Sequence, residues 1–223
     1  MIPFRDDNPT RRFPIVTVTF IVMNVLVFMA ELADGTGNSV YYYGAVPRAL
    51  LGMESAQPVS PQITLLTSMF MHGGLLHLAG NMLYLWIFGN NVEDRMGRLR
   101  FISFYVLGGV VAAYAHALSA PNSLTPMIGA SGAIAAVLGA YVLLYPRAQV
   151  HTLIFLGFFV QVVKLPALIV IGFWAIIQIA SGLLEGSSGG GIAWFAHVGG
   201  FIFGLSAARI FVRDKYRRRI RWS

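Results

Sequence analysis

Two residues of types that could carry out catalysis lie near the starts of two apolar segments. They are a serine, Ser131, and a histidine, His197. A serine hydroxyl becomes a nucleophile when a histidine accepts its proton, so this pair could carry out acyl transfer. The acidic residues of the chain fall in predicted loops, which leaves no carboxylate to complete a triad. The sequence therefore predicts a serine–histidine dyad.

Hydrogen-bond donors for such a dyad come from a third apolar segment. His77 and Asn81 are four residues apart and share one helical face, where an imidazole N–H and an amide N–H can stabilise a developing oxyanion. The backbone N–H of Ser131, at a helix start, would be a third donor. His72 lies five residues before His77, off that face, and is expected to organise the preceding loop.

The composition places these residues in a membrane. Of 223 residues, 57% are hydrophobic and 11% are charged, against roughly 25% charged in ordinary soluble domains. Mean hydropathy is +0.68. The net charge of +7 does not indicate nucleic acid binding, because the cations stand at the ends of apolar runs and in one tail, as topology determinants do. The absence of cysteine excludes disulfides, a thiol nucleophile and thiolate metal sites.

Six apolar runs are long enough to cross a hydrocarbon core of ~30 Å as helices. They cover residues 13–30, 75–92, 101–118, 127–145, 165–184 and 192–212. We therefore predict an all-α membrane protein, a six-transmembrane-helix bundle that forms one domain over residues 13–212 between short cytoplasmic tails at 1–12 and 213–223. The first run offers no small-x-small cleavage site and is interpreted as an uncleaved span.

The charge distribution predicts how the spans are oriented. The apolar stretch 150–163 has only 14 residues, which suits an interfacial or re-entrant piece better than a crossing. With six crossings and the N-terminus inside, 15 of the 16 cations lie on the inner side and only Arg48 lies outside. Both termini are thus expected to be cytoplasmic.

This orientation brings the polar residues to one depth. The second, fourth and sixth spans run from outside to inside, so their N-terminal ends share the outer leaflet. Those ends carry the ionisable and polar residues introduced above, which are His72, His77, Asn81, Ser131 and His197. Polar residues inside spans are costly and point to function. Their convergence predicts a site in the outer leaflet.

Small residues predict that two of these spans approach closely. Gly132, Ala136 and Ala140 recur at every fourth position of the fourth span, and Gly200 with Gly204 forms a GxxxG face one turn after His197. Close approach of these faces would bring the serine-bearing and histidine-bearing helices together.

Outer segments are expected to complete the site. The long loop of residues 31–74 has the amphipathic character of a segment lying partly in the membrane interface. Water must reach a buried site, so we expect a cavity between the second, fourth, fifth and sixth spans. Phe173 and Trp174 of the fifth span and the glycine-rich linker 186–191 are candidates for a gate and a cap, although Phe173 and Trp174 also suit a core or lipid-facing position.

Three sequence motifs resemble those of the rhomboid intramembrane serine proteases. They are HGGLLHLAGN at 72–81, GASG at 129–132 and AHVGGFIFG at 196–204. The resemblance implies Ser131 as nucleophile, His197 as general base and acid, and His77 with Asn81 in the oxyanion hole. The same motifs supply the residues expected to support the site, namely His72, Gly129, Gly132, Gly200 and Gly204.

The resemblance also implies what the protein would act on. It implies hydrolysis of peptide bonds in or near transmembrane segments of other membrane proteins, through an acyl-enzyme and without a metal or cofactor. The sequence departs from the family at Ala135, where an aromatic residue usually packs near the catalytic histidine. Trp194 or Phe195 is expected to compensate, although an aromatic belt at the outer interface explains both equally well.

Other function classes fit parts of the pattern. His72, His77 and His197 could form a three-histidine zinc site of a metal-dependent membrane enzyme. A non-catalytic relative would bind membrane helices without cutting them. A bundle transporter is a weaker alternative, because neither a broken helix nor an inverted repeat is visible.

The expected partners are transmembrane substrates and the lipid bilayer, with no nucleic acid. The expected location is a bacterial inner membrane, with the active site opening to the outer side.

Overall fold

The structure is a computed structural model that describes residues 1–35, 37–157, 159–185 and 193–212. Ten helices occur within these ranges. They are α1 (Ile15–Asp34), α2 (Asn38–Tyr43), α3 (Pro47–Leu50), α4 (Pro61–Thr67), α5 (Leu75–Tyr84), α6 (Asn90–Met96), α7 (Arg98–Ser119), α8 (Ser131–Leu144), α9 (Ala167–Glu185) and α10 (Trp194–Phe211). A 3₁₀ turn, Ser68–Phe70, follows α4, and a π-helical turn, Leu85–Gly89, joins α5 to α6.

The protein is mostly helical and has the helices of a membrane protein. In the part of the chain that the structure describes, four helices are long and apolar enough to cross a bilayer: Ile15–Asp34, Arg98–Ser119, Ala167–Leu184 and Trp194–Phe211. A fifth candidate is the pair Pro61–Phe70 and Leu75–Met96, which is bent by 83°. The helix within the predicted fourth span has only 14 residues, or ~21 Å. The count of six spans thus stays a prediction.

Helix α8 forms the centre of the bundle. Every residue from Gly132 to Tyr141 is buried, which explains why this helix is apolar on all sides rather than amphipathic. It packs against α7 on one side and α10 on another. Because α8 begins with Ser131, the candidate nucleophile is carried by the most enclosed helix of the fold.

The predicted close approach of small residues is confirmed at the contact between α8 and α10. A Cβ added at Gly200 would stand 2.1 Å from the carbonyl oxygen of Gly132, and one at Gly204 would stand 2.0 Å from that of Ala136. No side chain fits between backbones at these distances. The two helices therefore meet backbone to backbone, which restricts the distance between the side chains near the start of each helix.

The expectation of an all-helical chain is wrong, because a small sheet lies on the side of the molecule opposite the start of α8. Strands β1 (Ile2–Asp6), β2 (Gln149–Leu156) and β3 (Phe159–Pro166) form an antiparallel sheet in the order β1-β2-β3. The stretch 150–163 is thus a hairpin, turned at Gly157 with a φ of +62°. Its valines, isoleucine and threonine favour strand over helix. Residues 1–12 are accordingly not a simple tail, and the predicted tail 213–223 lies outside the described residues.

Polar contacts hold the N-terminal strand in place. Lys164 donates to one carboxylate oxygen of Asp7 at 3.1 Å, and Nε2 of His151 lies 2.6 Å from the other. These two hydrogen bonds lower the pKa of Asp7 to about 2. The neighbouring Asp6 accepts a hydrogen bond from the Tyr141 hydroxyl at 2.5 Å, which ties the strand to α8.

A buried carboxylate anchors the start of α1. Glu93 of α6 is 4% exposed, and its Oε1 accepts the backbone N–H of Val16 at 3.1 Å. Its Oε2 accepts both the backbone N–H and the hydroxyl of Thr17, each at 2.8 Å. Glu93 thus satisfies donors that a helix start leaves unpaired and places a negative charge at the positive end of the helix dipole.

The long loop between α1 and α5 is structured and reaches the start of α8. It contains α2, α3 and α4, and Ala45 exchanges two backbone hydrogen bonds with Met127 at 2.9 and 2.8 Å. The backbone N–H of Gly129 donates to the carbonyl of Ser68 at 2.8 Å. These contacts position the turn that leads into Ser131. Its partial embedding in the membrane stays a prediction.

Candidate active site

The structure brings the two residues of the predicted dyad together. Ser131 is the first residue of α8 and His197 lies in the first turn of α10. Nε2 of His197 is 2.7 Å from the hydroxyl oxygen of Ser131, which is hydrogen-bond distance. The backbone contact between Gly132 of α8 and Gly200 of α10 lies one turn further along α10 than His197.

A third side chain, which the sequence analysis did not identify, contacts the histidine. Oε1 of Gln178, on α9, lies 2.5 Å from Nδ1 of His197. Gln178 is 8% exposed. The only sequence signal for it was a polar amide inside an otherwise apolar run, which is a general indication of function in a span.

Two aromatic rings flank the histidine, one from α9 and one from the start of its own helix α10. The ring of Trp174 on α9 lies 6.0 Å from the imidazole, and that of Trp194 at the start of α10 lies 6.1 Å away, edge to face. Trp194 is one of the two residues expected to compensate for Ala135. Ala135, at the position where the family usually has an aromatic residue, is fully buried against α10 and offers only a methyl group.

Gly129 makes room for the histidine expected to stabilise an oxyanion. Its φ is +126°, which disfavours any side chain, and a Cβ there would stand 2.9 Å from both Cε1 and Nε2 of His77. The same Cβ would be 3.5 Å from the Ser131 hydroxyl. The imidazole of His77 therefore lies beside the serine because residue 129 has no side chain. The predicted supporting role of Gly132 has a similar basis, since a Cβ there would meet Ala112 of α7 at 2.7 Å.

Asn81 and His72 are paired with each other. The amide nitrogen of Asn81 lies 3.0 Å from Nε2 of His72, and both side chains are buried. An amide NH₂ has two hydrogens, so the contact with His72 uses only one of them, and Asn81 also lines the cavity described below. The backbone N–H of His72 donates to Glu31 at 3.2 Å, which joins the loop to the end of α1. His72 thus contacts both the end of α1, through its backbone, and Asn81, through its side chain, and its role in ordering the loop stays a prediction.

The predicted residues surround one cavity of about 910 Å³ between α5, α8, α9 and α10. Its polar lining comes from the side chains already described, which are His77, Asn81, Ser131, Gln178 and His197. The remaining walls are mostly apolar and include Tyr84, Ile134 and Trp174. This volume lies within the range of ligand sites and suits an extended peptide segment. The expected cap, residues 186–191, lies outside the described residues.

The geometry does not support the zinc alternative. Among the residues that the structure describes, no three His, Cys, Asp or Glu side chains are arranged to hold a metal ion. His72 faces Asn81, whereas His197 is engaged by Ser131 and Gln178. The three histidines therefore do not converge as a metal site.

A family model and several individual relatives all identify the same family. A family model described as "Rhomboid domain" matches residues 61–214. Presenilin-associated rhomboid-like protein A, mitochondrial, of Danio rerio is 30% identical over 170 residues, which cover 72% of this chain and 41% of the relative.

Two further relatives come from a bacterium and a yeast. Rhomboid protease GluP of Bacillus subtilis is 33% identical over 61% of this chain and 25% of its own length. Rhomboid protein 1, mitochondrial, of Saccharomyces cerevisiae is 33% identical over 44% of this chain and 29% of its own length. The chain thus covers between 25% and 41% of the length of these three relatives.

Proposed function

The chain belongs to the rhomboid family, and we propose on this basis that it is an intramembrane serine endopeptidase acting on transmembrane segments of other membrane proteins. The observation that carries the proposal is the 2.7 Å contact between His197 Nε2 and the Ser131 hydroxyl, inside a cavity large enough for a peptide. A non-catalytic relative would have no requirement for this contact.

The proposed acylation uses this contact between His197 and Ser131. The Ser131 oxygen attacks the carbonyl carbon of the scissile bond while Nε2 of His197 takes the hydroxyl proton. The imidazolium then gives this proton to the leaving amine nitrogen, and the C–N bond breaks. The product is an ester on Ser131, with one peptide fragment released. A water molecule next attacks the ester carbonyl while His197 accepts its proton. The ester bond to the Ser131 oxygen then breaks, that oxygen takes the proton back from His197, and the second peptide fragment leaves with a new carboxyl terminus.

Oxyanion stabilisation is assigned to three N–H groups beside the serine. The backbone N–H of Ser131 belongs to the first turn of α8, where amides have no acceptor within the helix. The side chain of His77 lies next to Gly129 and the serine hydroxyl, and Asn81 lines the same cavity one turn further along α5. Donors placed in this way favour the negative charge that develops on the carbonyl oxygen.

The decisive experiment compares the purified wild-type protein with Ser131→Ala on a single-span model substrate in detergent. We expect cleavage by wild type, complete loss in Ser131→Ala and His197→Ala, and labelling of wild type by a fluorophosphonate that Ser131→Ala abolishes. Ser206→Ala is the matched control, because Ser206 lies on the exposed face of α10 and its hydroxyl, among the described residues, bonds to backbone carbonyls of its own helix. Binding of the substrate without cleavage by wild type would favour the non-catalytic alternative.

We further propose six crossings of a bacterial inner membrane, with both termini cytoplasmic and the site in the outer leaflet. The distribution of cations supports this orientation. Since the chain has no cysteine, a single one can be introduced at Asn122, after α7, or at Gln161, on the exposed part of β3. An impermeant thiol reagent applied to intact bacterial cells should label Asn122→Cys and spare Gln161→Cys. The reverse pattern would overturn the orientation.

A further inference from the structure

The imidazole of His197 is held from both of its nitrogens. Nε2 contacts Ser131 on α8, and Nδ1 contacts the amide oxygen of Gln178 on α9. We propose that Gln178 is a positioning residue that fixes the histidine tautomer able to accept the serine proton. This inference rests on the proposed protease function.

The chemistry of the two side chains leads to this assignment. A neutral imidazole carries one N–H, and an amide oxygen can only accept a hydrogen bond. The contact with Oε1 of Gln178 therefore places the hydrogen on Nδ1 of His197. Nε2 is left with its lone pair directed at the hydroxyl of Ser131, which is the arrangement that proton transfer requires. When Nε2 takes the proton, the amide oxygen also stabilises the positive charge that spreads over the ring.

The other neighbours of His197 cannot do this. The titratable groups that interact with it electrostatically are His77 on α5 and His116 on α7, which supply no negative charge. Trp174 and Trp194 present rings rather than strong acceptors. Gln178 is thus the one described side chain that accepts a hydrogen bond from this imidazole, in the place where a triad has its carboxylate.

The placement of Gln178 also argues against a purely structural role. A buried amide in a membrane-spanning helix is costly unless its polar atoms are satisfied, and an apolar residue would fill the space at lower cost. Gln178 stands four residues after Trp174, so both side chains project from one face of α9 toward His197. The imidazole is therefore packed by the tryptophan and oriented by the glutamine one turn further along α9.

The first test separates orientation from packing by kinetics. Gln178→Met keeps the length of the side chain and removes the acceptor, and it should lower kcat about 10- to 100-fold, with KM changed less than about twofold. Gln178→Glu keeps an acceptor oxygen and adds negative charge near the imidazolium. It should recover most of kcat at high pH, and the acidic limb of its kcat profile should move to higher pH. The control is Ile179→Met, at an exposed neighbouring position of α9, and it should match wild type.

The inference would be overturned if Gln178→Met kept the wild-type rate and pH profile. If Ser131→Ala were inactive in the same assay, the proposed function would still stand.

The second test does not depend on activity. In ¹⁵N-histidine-labelled protein, the His197 signal, assigned by its loss in His197→Ala, should report protonation at Nδ1 in wild type. It should shift toward the other tautomer in Gln178→Met. A wild-type His197 protonated at Nε2 would overturn the inference even if the protein cleaved nothing.

Discussion

Adding one methyl group at Gly200 should separate the nucleophile from its base. Gly200 lies one turn after His197 on α10, where the helix touches the backbone of α8. A Cβ at this position would stand 2.1 Å from the carbonyl oxygen of Gly132, whereas real Cβ contacts essentially never fall below 3.0 Å. Because the obstructing atom belongs to the backbone of a central helix, no side-chain rotation can relieve the clash. The Gly200→Ala variant must therefore move α10 away from α8.

The size of this movement follows from the same distances. Raising the Cβ to oxygen distance from 2.1 to 3.0 Å requires a shift of about 0.9 Å. Applied to the 2.7 Å contact between His197 and Ser131, that shift gives about 3.6 Å, which is no longer a hydrogen bond. A misplacement of about 1 Å can lower a rate roughly 100-fold. Overpacking should also destabilise the fold by ~1–3 kcal/mol, partly offset by the better helix propensity of alanine, ~1 kcal/mol.

The assay measures kcat on the model substrate and thermal unfolding on the same purified variants. Gly172→Ala is the matched control, because it makes the same substitution within α9 at a position where a Cβ meets nothing within 4 Å. The control should keep wild-type activity and equal or higher stability. If Gly200→Ala also kept wild-type activity and stability, the idea that backbone contact between α8 and α10 sets the dyad geometry would be refuted.

Three further predictions concern other parts of the molecule. Asn81→Ala should lower kcat roughly 100- to 1,000-fold with little change in KM, because an oxyanion donor acts mainly in the transition state; unchanged kcat and melting temperature would remove Asn81 from that role. Glu93→Gln should cost ~1–3 kcal/mol of unfolding free energy while leaving kcat near wild type, because charge-assisted bonds to the start of α1 are weakened far from the cavity; an unchanged melting curve would contradict this. The pKa of Asp7 is lowered to about 2, so its contacts should fully stabilise the docking of β1 above the ordinary pKa of ~3.9, and this stabilisation should be lost as pH falls through about 2. Hydrogen exchange at residues 2–6 measures the docking of β1. The Asp7→Asn variant should show no such pH dependence.

The relation between Ser131 and His197 could be predicted because two sequence properties converge on it. The cation bias indicates which spans run in the same direction, and each residue lies close to the start of its helix, so their depths match. Small residues at every fourth position then indicate that the two helices pack in close contact. Depth and contact together leave little freedom for the distance between the side chains. The same reasoning placed His77 beside them, although it did not anticipate that a positive φ at Gly129 makes the space.

The sheet could not be predicted in this way. Its hairpin is apolar along both faces near the turn, so the alternation that usually marks a strand is hidden, and its length also suits an interfacial helix. Strand β1 pairs with residues about 150 positions away. Such a pairing depends on tertiary structure, through Asp7 with Lys164 and Asp6 with Tyr141, and local propensity carries no information about it.

Gln178 was missed for a related reason. Its sequence position gives its depth in the membrane but not the direction in which it projects, which depends on the rotation of α9 about its own axis. That rotation is set by packing against α8 and α10, so it cannot be derived from the apolar run that forms the helix. Since Ser131, His197 and Gln178 stand on three different helices, the hydrogen-bonded chain from Oε1 through the imidazole to the serine exists only when all three are packed together. The proposed catalytic geometry is therefore a property of the assembled helices α8, α9 and α10, and a change that displaces α9 alone should impair proton transfer while leaving the distance between Ser131 and the backbone of α10 unchanged.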